Sequence, residues 1–216
     1  MTPGLARPIV IGYMMGLTRP RKFVKSGGAR DGDNVIMTKS AGIEGTAVLA
    51  TDFAKQLRVW VSRGLLARAR GLRRQLSVVD DALTAMRSGG VHAMHDPTEG
   101  GLLQGICELA HASNVGFLIH ESRIPISPET ERICSALNLN PLRLMSSGCL
   151  IISAHRRKTD RILRMLSSNG IPANVIGRIT SLRNGRKLIT TNGSVRNIRP
   201  SERDELYRVI ESHQSQ

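Results

Sequence analysis

From Asn34 to Thr180 the apolar residues repeatedly change period, strand-length runs giving way to stretches in which they recur every three or four positions. That alternation constrains the chain more than any other feature, because strands and helices must pack together along its middle. The first such strand is Asn34–Thr38, which follows the turn Asp31-Gly32-Asp33 and runs into the glycine loop Lys39–Gly45. From Thr46 the pattern is helical, with Leu57, Val61, Leu65, Leu66 and Ala69 sharing a face and Gly64 and Gly71 expected to interrupt or bend it. Ser77 resembles an N-terminal cap for a helix carrying Val78, Val79, Ala82, Leu83 and Met86, which Gly89-Gly90 stops. A short strand, Val91–Met94, then meets the turn Asp96–Gly101 and a helix whose stripe is Leu102, Leu103, Ile106, Leu109 and Ala110.

Val115–His120 reads as a strand, and Ser127-Pro128 supplies a cap with proline at the first helical position before Ile133 and Leu137. Leu142–Met145 and Cys149–Ser153 read as strands flanking Ser146-Ser147-Gly148, Arg156–Ser168 as an amphipathic helix, and Asn174–Thr180 as a strand. A hairpin is expected around Asn184-Gly185, a short helix over Ser201–Ser212, and a disordered Gln214-Ser215-Gln216 tail. At the other end, Pro8–Met15 has strand length and composition, and Gly16–Gly32 is a basic connector.

Two segments are candidates for chemistry. In the Thr38–Gly45 loop, Gly42 and Gly45 precede a helix, where free backbone N–H groups can hold an anion. The same glycines would equally serve a tight turn and close helix packing. Lys39 precedes both glycines, so the loop is no Walker motif, and no G-x-G-x-x-G occurs. The denser segment is His92 to Gly101, which carries a carboxylate at Asp96, a hydroxyl at Thr98 placed to cap a helix, and Gly100 and Gly101 in the first helical turn. Two helical glycines cost about 1 kcal/mol each relative to alanine, so a closely approaching ligand or backbone is expected there; the other reading is that Thr98 simply caps its helix and Asp96 only braces the turn. His92 and His95 lie three apart on a strand and face opposite ways, which speaks against a metal pair. No metal ligands are assigned.

At 216 residues the chain can bury a core without disulfide or metal staples. Its apolar share of 40%, with 21 Gly and 9 Pro, excludes collagen-like, disordered and disulfide-scaffold classes. Cys107, Cys134 and Cys149 lie in apolar runs with no C-x-x-C pair, as reduced structural thiols do. No run is long enough to span a bilayer and no signal core opens the chain, so a cytoplasmic location without membrane attachment is expected. The net charge of +14 raises a polyanionic partner, and weak, sequence-independent nucleic-acid binding is the form it would take. Aromatics make up only 3%, leaving few stacking platforms.

Gly32–Ile36, the Ala41–Ala47 loop, His92–Gly101 and Ile176–Ile179 together resemble, in order and spacing, the aminoimidazole ribonucleotide (AIR) synthase-related superfamily. Within it the D-P-T-x-G-G block is most similar to relatives of the hydrogenase maturation factor that dehydrates a carbamoyl group. The resemblance implies an α+β fold, a layered mixed β-sheet with flanking helices, in the C-terminal domain of a two-domain protein. It implies that residues 1–30 are an N-terminal strand and basic connector left from the first domain, 31–180 the AIR synthase-like C-terminal domain, and 181–216 a C-terminal hairpin and helix.

Carried over by resemblance, Asp96 and Thr98 are catalytic and Gly42, Gly45, Gly100 and Gly101 bind the cofactor. ATP and Mg2+ are implied, with the acids that hold them in an N-terminal domain expected to be missing here. The chain ends without the cysteine-bearing tail of the hydrogenase factor. The implied activity is ATP-dependent phosphoryl transfer that activates an amide or carbonyl oxygen, completed by a separate N-terminal-domain polypeptide or a homodimer. The alternative is a non-catalytic basic module that binds RNA or an acidic protein.

Overall fold

Successive residues of the first strand feed two different cores. The computed structural model describes residues 9–19, 23–200 and 203–214. Its elements are β1 (Asn34–Thr38), α1 (Ile43–Asp52), α2 (Ala54–Leu57), α3 (Arg63–Gly71), α4 (Val79–Ser88), β2 (Val91–His95), α5 (Gly101–Ala112), β3 (Gly116–His120), α6 (Pro128–Leu137), β4 (Ile151–Ala154), α7 (Thr159–Ser168), β5 (Ala173–Thr180), β6 (Arg186–Ile189), β7 (Val195–Asn197) and α8 (Glu205–Gln214). Val35 and Met37 join the core made with Leu102, Ile106 and Leu109 of α5, together with Phe117 and Ile119 of β3. Ile36, between them, joins Ile152 of β4 and Ile162 and Leu166 of α7. A strand with period-two geometry and apolar residues on both faces is a strand covered on both sides.

The strands form one 7-stranded sheet in the order β2-β4-β1-β5-β3-β6-β7. Every neighbouring pair is antiparallel except β3 with β6, so the sheet is mixed. The expected layered α+β architecture is therefore the one observed. A further helical cluster, with Leu49, Leu57, Leu66, Ile133, Leu206 and Val209 buried, joins α1, α2, α3, α6 and α8. Each of these side chains contributes about 1.5–3 kcal/mol by leaving water.

Several local expectations are corrected. Ile9–Met15 has strand composition but no strand and is largely exposed, Val10 to 91% and Met14 to 93%; Pro8 lies outside the described residues. A strand needs a neighbour to satisfy its backbone, and neither sheet edge pairs with this one. Leu142–Met145 is a 3-10 turn over Pro141–Arg143 and a loop, because Asn140 caps Leu142 N from its side chain at 3.0 Å. The strand expected over Cys149–Ser153 runs from Ile151 to Ala154. Asn184-Gly185 does not close a hairpin: β3 inserts between β5 and β6, with Phe117 N donating to Gly185 O at 3.1 Å. The helical region after Thr46 begins earlier, at Ile43, and breaks at Phe53 and over Arg58–Ser62, not at Gly64, which lies inside α3, whereas Gly71 does end α3. The last helix begins at Glu205; Ser201, where it was expected to start, and Ser215 and Gln216 of the tail lie outside the described residues.

Candidate functional site

The two glycine-bearing segments converge on one loop. Gly42 N donates to Ser146 Oγ at 2.9 Å, Gly45 N to Met145 O at 3.0 Å, and Ser146 N to Thr98 O at 3.2 Å. Ser146, completely buried, thus ties the start of α1 to the turn before α5. From the sequence Ser146-Ser147-Gly148 reads as a plain loop between strands or as an anion-binding turn, since nothing local reveals that two distant turns close on it.

The cap of α5 differs from expectation. Gly100, with φ +74°, occupies the N-cap, and Gly101 follows at φ +68°. Thr98 instead accepts through its carbonyl, from Gly101 N at 3.2 Å as well as from Ser146 N. Nor are the glycine amides open. Gly100 N donates to Asp204 Oδ2 at 2.7 Å, and the same carboxylate takes Leu206 N at 2.7 Å and Met145 N at 3.2 Å through Oδ1. An aspartate from the chain's own C-terminal segment thus sits where an incoming anion was expected. It is the residue that sequence reasoning missed, because 104 positions separate it from Gly100.

Asp96 and Thr98 are both exposed, between the end of β2 and the start of α5. Packing around the Asp96 carboxyl raises its pKa above the ordinary 3.8; His95 and Lys39 oppose the shift, while Glu44 and Asp81 add to it. Lys39 is itself engaged, its Nζ donating to Ser77 O at 2.8 Å and Gln75 O at 3.0 Å and pairing with Asp81 Oδ2 at 3.2 Å. Nearby, Tyr207 Oη donates to Glu99 Oε1 at 2.6 Å, a bond that with burial pushes the phenol up to about 12.

A raised carboxyl pKa means that the folded chain binds this proton more tightly than the unfolded chain. Stability contributed by Asp96 is therefore greatest below the ordinary value and falls as pH rises through the raised one. Asp96→Asn should accordingly raise the melting temperature at pH 7, and that advantage should vanish below about pH 3.8. An unchanged melting curve at pH 7 would show that the carboxylate is held without cost.

The histidines are engaged separately. His92 Nδ1 donates to buried Asp33 at 2.8 Å, and Asp33 also accepts Ser153 Oγ at 2.8 Å. His95 bonds Ser26 and Glu108. Among the described residues no group of three or more His, Cys, Asp or Glu is arranged to hold a metal, and no helix is long and apolar enough to cross a membrane. The cysteines are free and buried, which pushes Cys107 up to about 11 and Cys134 up to about 12. Of the arginines between Arg58 and Arg74, Arg68 is paired with Glu129 at 2.6 Å and Arg70 Nε donates to Ala50 O at 2.9 Å.

Comparison with known proteins places these features in a family context. Residues 30–187 match the family described as AIR synthase related protein, C-terminal domain. A carbamoyl dehydratase HypE of Rhizobium leguminosarum bv. viciae is 32% identical over 162 residues, covering 73% of this chain and 43% of its own. The crystal structure of Escherichia coli HypE superposes with a TM-score of 0.70 at 25% identity, covering 86% of this chain and 55% of that one. A hydrogenase maturation protein HypE solved in complex with ATP shares the fold, with a TM-score of 0.65 at 22% identity over 85% of this chain and 55% of its own. The chain spans about half the length of the curated relatives it matches.

Proposed function

We propose, from the premise that this chain belongs to the AIR synthase related family through that family's C-terminal domain, that it is the C-terminal half of an ATP-dependent phosphoryl-transfer enzyme activating an amide or carbonyl oxygen. The observation that carries the proposal is the convergence of the Gly42–Gly45 loop and the Asp96–Gly101 block on the Met145-Ser146 segment, with Asp96 and Thr98 both exposed in the turn that this contact holds. The ATP complex of a HypE relative supports nucleotide use in such proteins.

The backbone donors expected to hold a triphosphate are already engaged, and among the described residues no group of three or more His, Cys, Asp or Glu is arranged for its metal. The amides of Gly42, Gly45, Gly100 and Gly101 all donate within the chain. The nucleotide and magnesium therefore fall, in this proposal, to an N-terminal domain, supplied as a separate polypeptide or within a homodimer. What this chain contributes is the acceptor side. The Asp96 carboxylate can accept an amide N–H and hold its proton, and the Thr98 hydroxyl can orient the neighbouring carbonyl. The exposed apolar run Ile9–Met15 supports the division, since a partner domain is the natural cover for it.

Calorimetric titration of the chain alone with magnesium ATP should show no dissociation constant at or below micromolar, roughly −8 kcal/mol. Adding the N-terminal domain of a HypE-type relative should produce ATP turnover that requires an amide substrate and disappears in Asp96→Ala. Micromolar binding by the chain alone would overturn the division of labour. The exposed Arg58, Arg63, Arg73 and Arg74 favour the second reading, a basic binding module. It becomes the better account if no combination turns over ATP while nucleic acid is retained in a salt-dependent way.

A further inference from the structure

One hydrogen-bonded chain of side chains remains outside that reading. Ser26 Oγ lies 2.9 Å from His95 Nδ1, and His95 Nε2 lies 2.7 Å from Glu108 Oε2. The carboxylate can only accept, so Nε2 carries the ring proton and Nδ1 presents its lone pair to the serine hydroxyl. Glu108 is braced from one turn earlier on α5, Gln104 Nε2 donating to its Oε1 at 2.7 Å. Ser26 is held on both sides: Met94 N donates to Lys25 O at 3.2 Å, and Ser113 Oγ donates to Ser26 O at 3.3 Å while accepting from Gly28 N and Ala29 N at 3.0 Å. The next amide, that of Gly27, has no acceptor among the described residues. In acyl-transfer enzymes that amide is an ordinary oxyanion donor.

Ser26 and His95 line a cavity of about 420 Å³ together with Asp96 and the apolar Val24, Ala82, Met86, Met94 and Leu150. We propose that Ser26, His95 and Glu108 form a nucleophile, general base and orienting acid, giving this chain a serine acyl-transfer activity towards small esters with aliphatic acyl groups. The apolar walls suit the acyl chain, and the Asp96 carboxylate excludes anionic substrates by like-charge repulsion. Ser26 Oγ bonds the carbonyl carbon as its proton passes to His95 Nδ1. The C–O bond to the alcohol then breaks, its electron pair leaves on the alcohol oxygen, and that oxygen takes the proton from Nδ1. Water then gives a proton to the same nitrogen as its oxygen bonds the acyl carbon, the bond from that carbon to Oγ breaks, and Oγ takes the proton back from Nδ1, releasing the acid and restoring Ser26.

The test uses the chain as it stands, with a fluorophosphonate probe and p-nitrophenyl butyrate. The probe should add once, at a residue that peptide mass mapping identifies as Ser26. Butyrate ester hydrolysis should fall at least 100-fold in Ser26→Ala and in His95→Gln, each checked for a parental melting curve, consistent with the worth of a general base. Glu108 acts through His95 as a positioning residue, so Glu108→Gln should lower kcat about tenfold at unchanged KM. Probe incorporation equal in the parent and Ser26→Ala, labelling mapped to another residue, or full hydrolysis by His95→Gln would each overturn the proposal. None of these outcomes involves ATP, so they stand apart from the phosphoryl-transfer reading.

Discussion

Gly101→Val should destabilise the fold by about 4 kcal/mol, the sum of backbone strain at a positive φ and overpacking, each of which costs roughly 1–3 kcal/mol. Gly101 has φ +68°, and a Cβ there would lie 2.7 Å from both Leu142 O and Leu144 O and 2.8 Å from Arg143 C. All three neighbours are backbone, so no rotamer change relieves the contact. Gly101→Ala should lose slightly less, since it meets the same atoms without a branched side chain. Gly64→Ala is the control: its site is open within α3, and replacing a helical glycine there should add about 0.5–1 kcal/mol. Urea denaturation of the three variants reads all of this. If Gly101→Val keeps the parental midpoint, the Pro141–Leu144 segment yields freely and the close approach is not a constraint. Otherwise, a Gly101 variant that loses a ligand reports a disturbed fold before it reports a lost contact.

Much of the fold was legible because the periodicities are strong. Asn34–Thr38 has alternate residues in two cores, and the Leu102, Leu103, Ile106 and Leu109 stripe forms the buried face of α5 as its spacing predicts. Ser127 and Pro128 open α6 as expected, Ser127 Oγ accepting Thr130 N at 3.1 Å. Where the expectation failed, partners decided. Ile9–Met15 has the composition of a strand and no strand beside it. Asn184-Gly185 has the dipeptide of a hairpin, but the strand that follows pairs parallel with β3, a choice made by tertiary packing and invisible in a four-residue window.

The candidate site was legible as residue types and not as an arrangement. Asp96 and Thr98 both fall in the turn between the end of β2 and the start of α5, where the sequence puts them. Gly42 and Gly100 both stand at helix N-caps with positive φ, which the sequence suggests only in outline. The use of their amides could not be read, because the acceptors are Ser146 and Asp204, each about a hundred positions away in sequence. Thr98 illustrates the same limit from the other side: a good cap residue by type, it is displaced from the cap by Gly100, whose αL backbone suits the turn better. Ser26 and Glu108 likewise meet His95 only through the packing of the Lys25–Ala29 segment against β2 and α5.

Asp204→Ala should cost about 3 kcal/mol and should uncover the one group of backbone donors able to show whether this corner of the fold receives anions. The buried carboxylate accepts from Gly100 N, Leu206 N and Met145 N, so its removal leaves three donors from three segments without that acceptor. Hydrogen bonds to a charged group contribute about 1.5–3 kcal/mol each, but burial opposes them and pushes the carboxyl pKa upward, so the net loss falls well short of their sum. Because Asp204 precedes α8, whose Leu206 and Val209 are buried in the helical cluster, part of the cost should appear as an early unfolding of α8. Inorganic phosphate at ten times its dissociation constant would return roughly 1.4 kcal/mol by binding only the folded state. The variant's melting temperature should therefore rise with phosphate more than the parent's, at matched ionic strength in chloride. An equal rise in both would be the general effect of an excluded salt and would show that the Gly100 corner is a packing joint, with Asp204 as its permanent counterpart. A larger rise in the variant would show instead that the C-terminal segment occupies an anion-receptive start of α5, and that a phosphate-bearing ligand must displace Asp204 to reach Gly100.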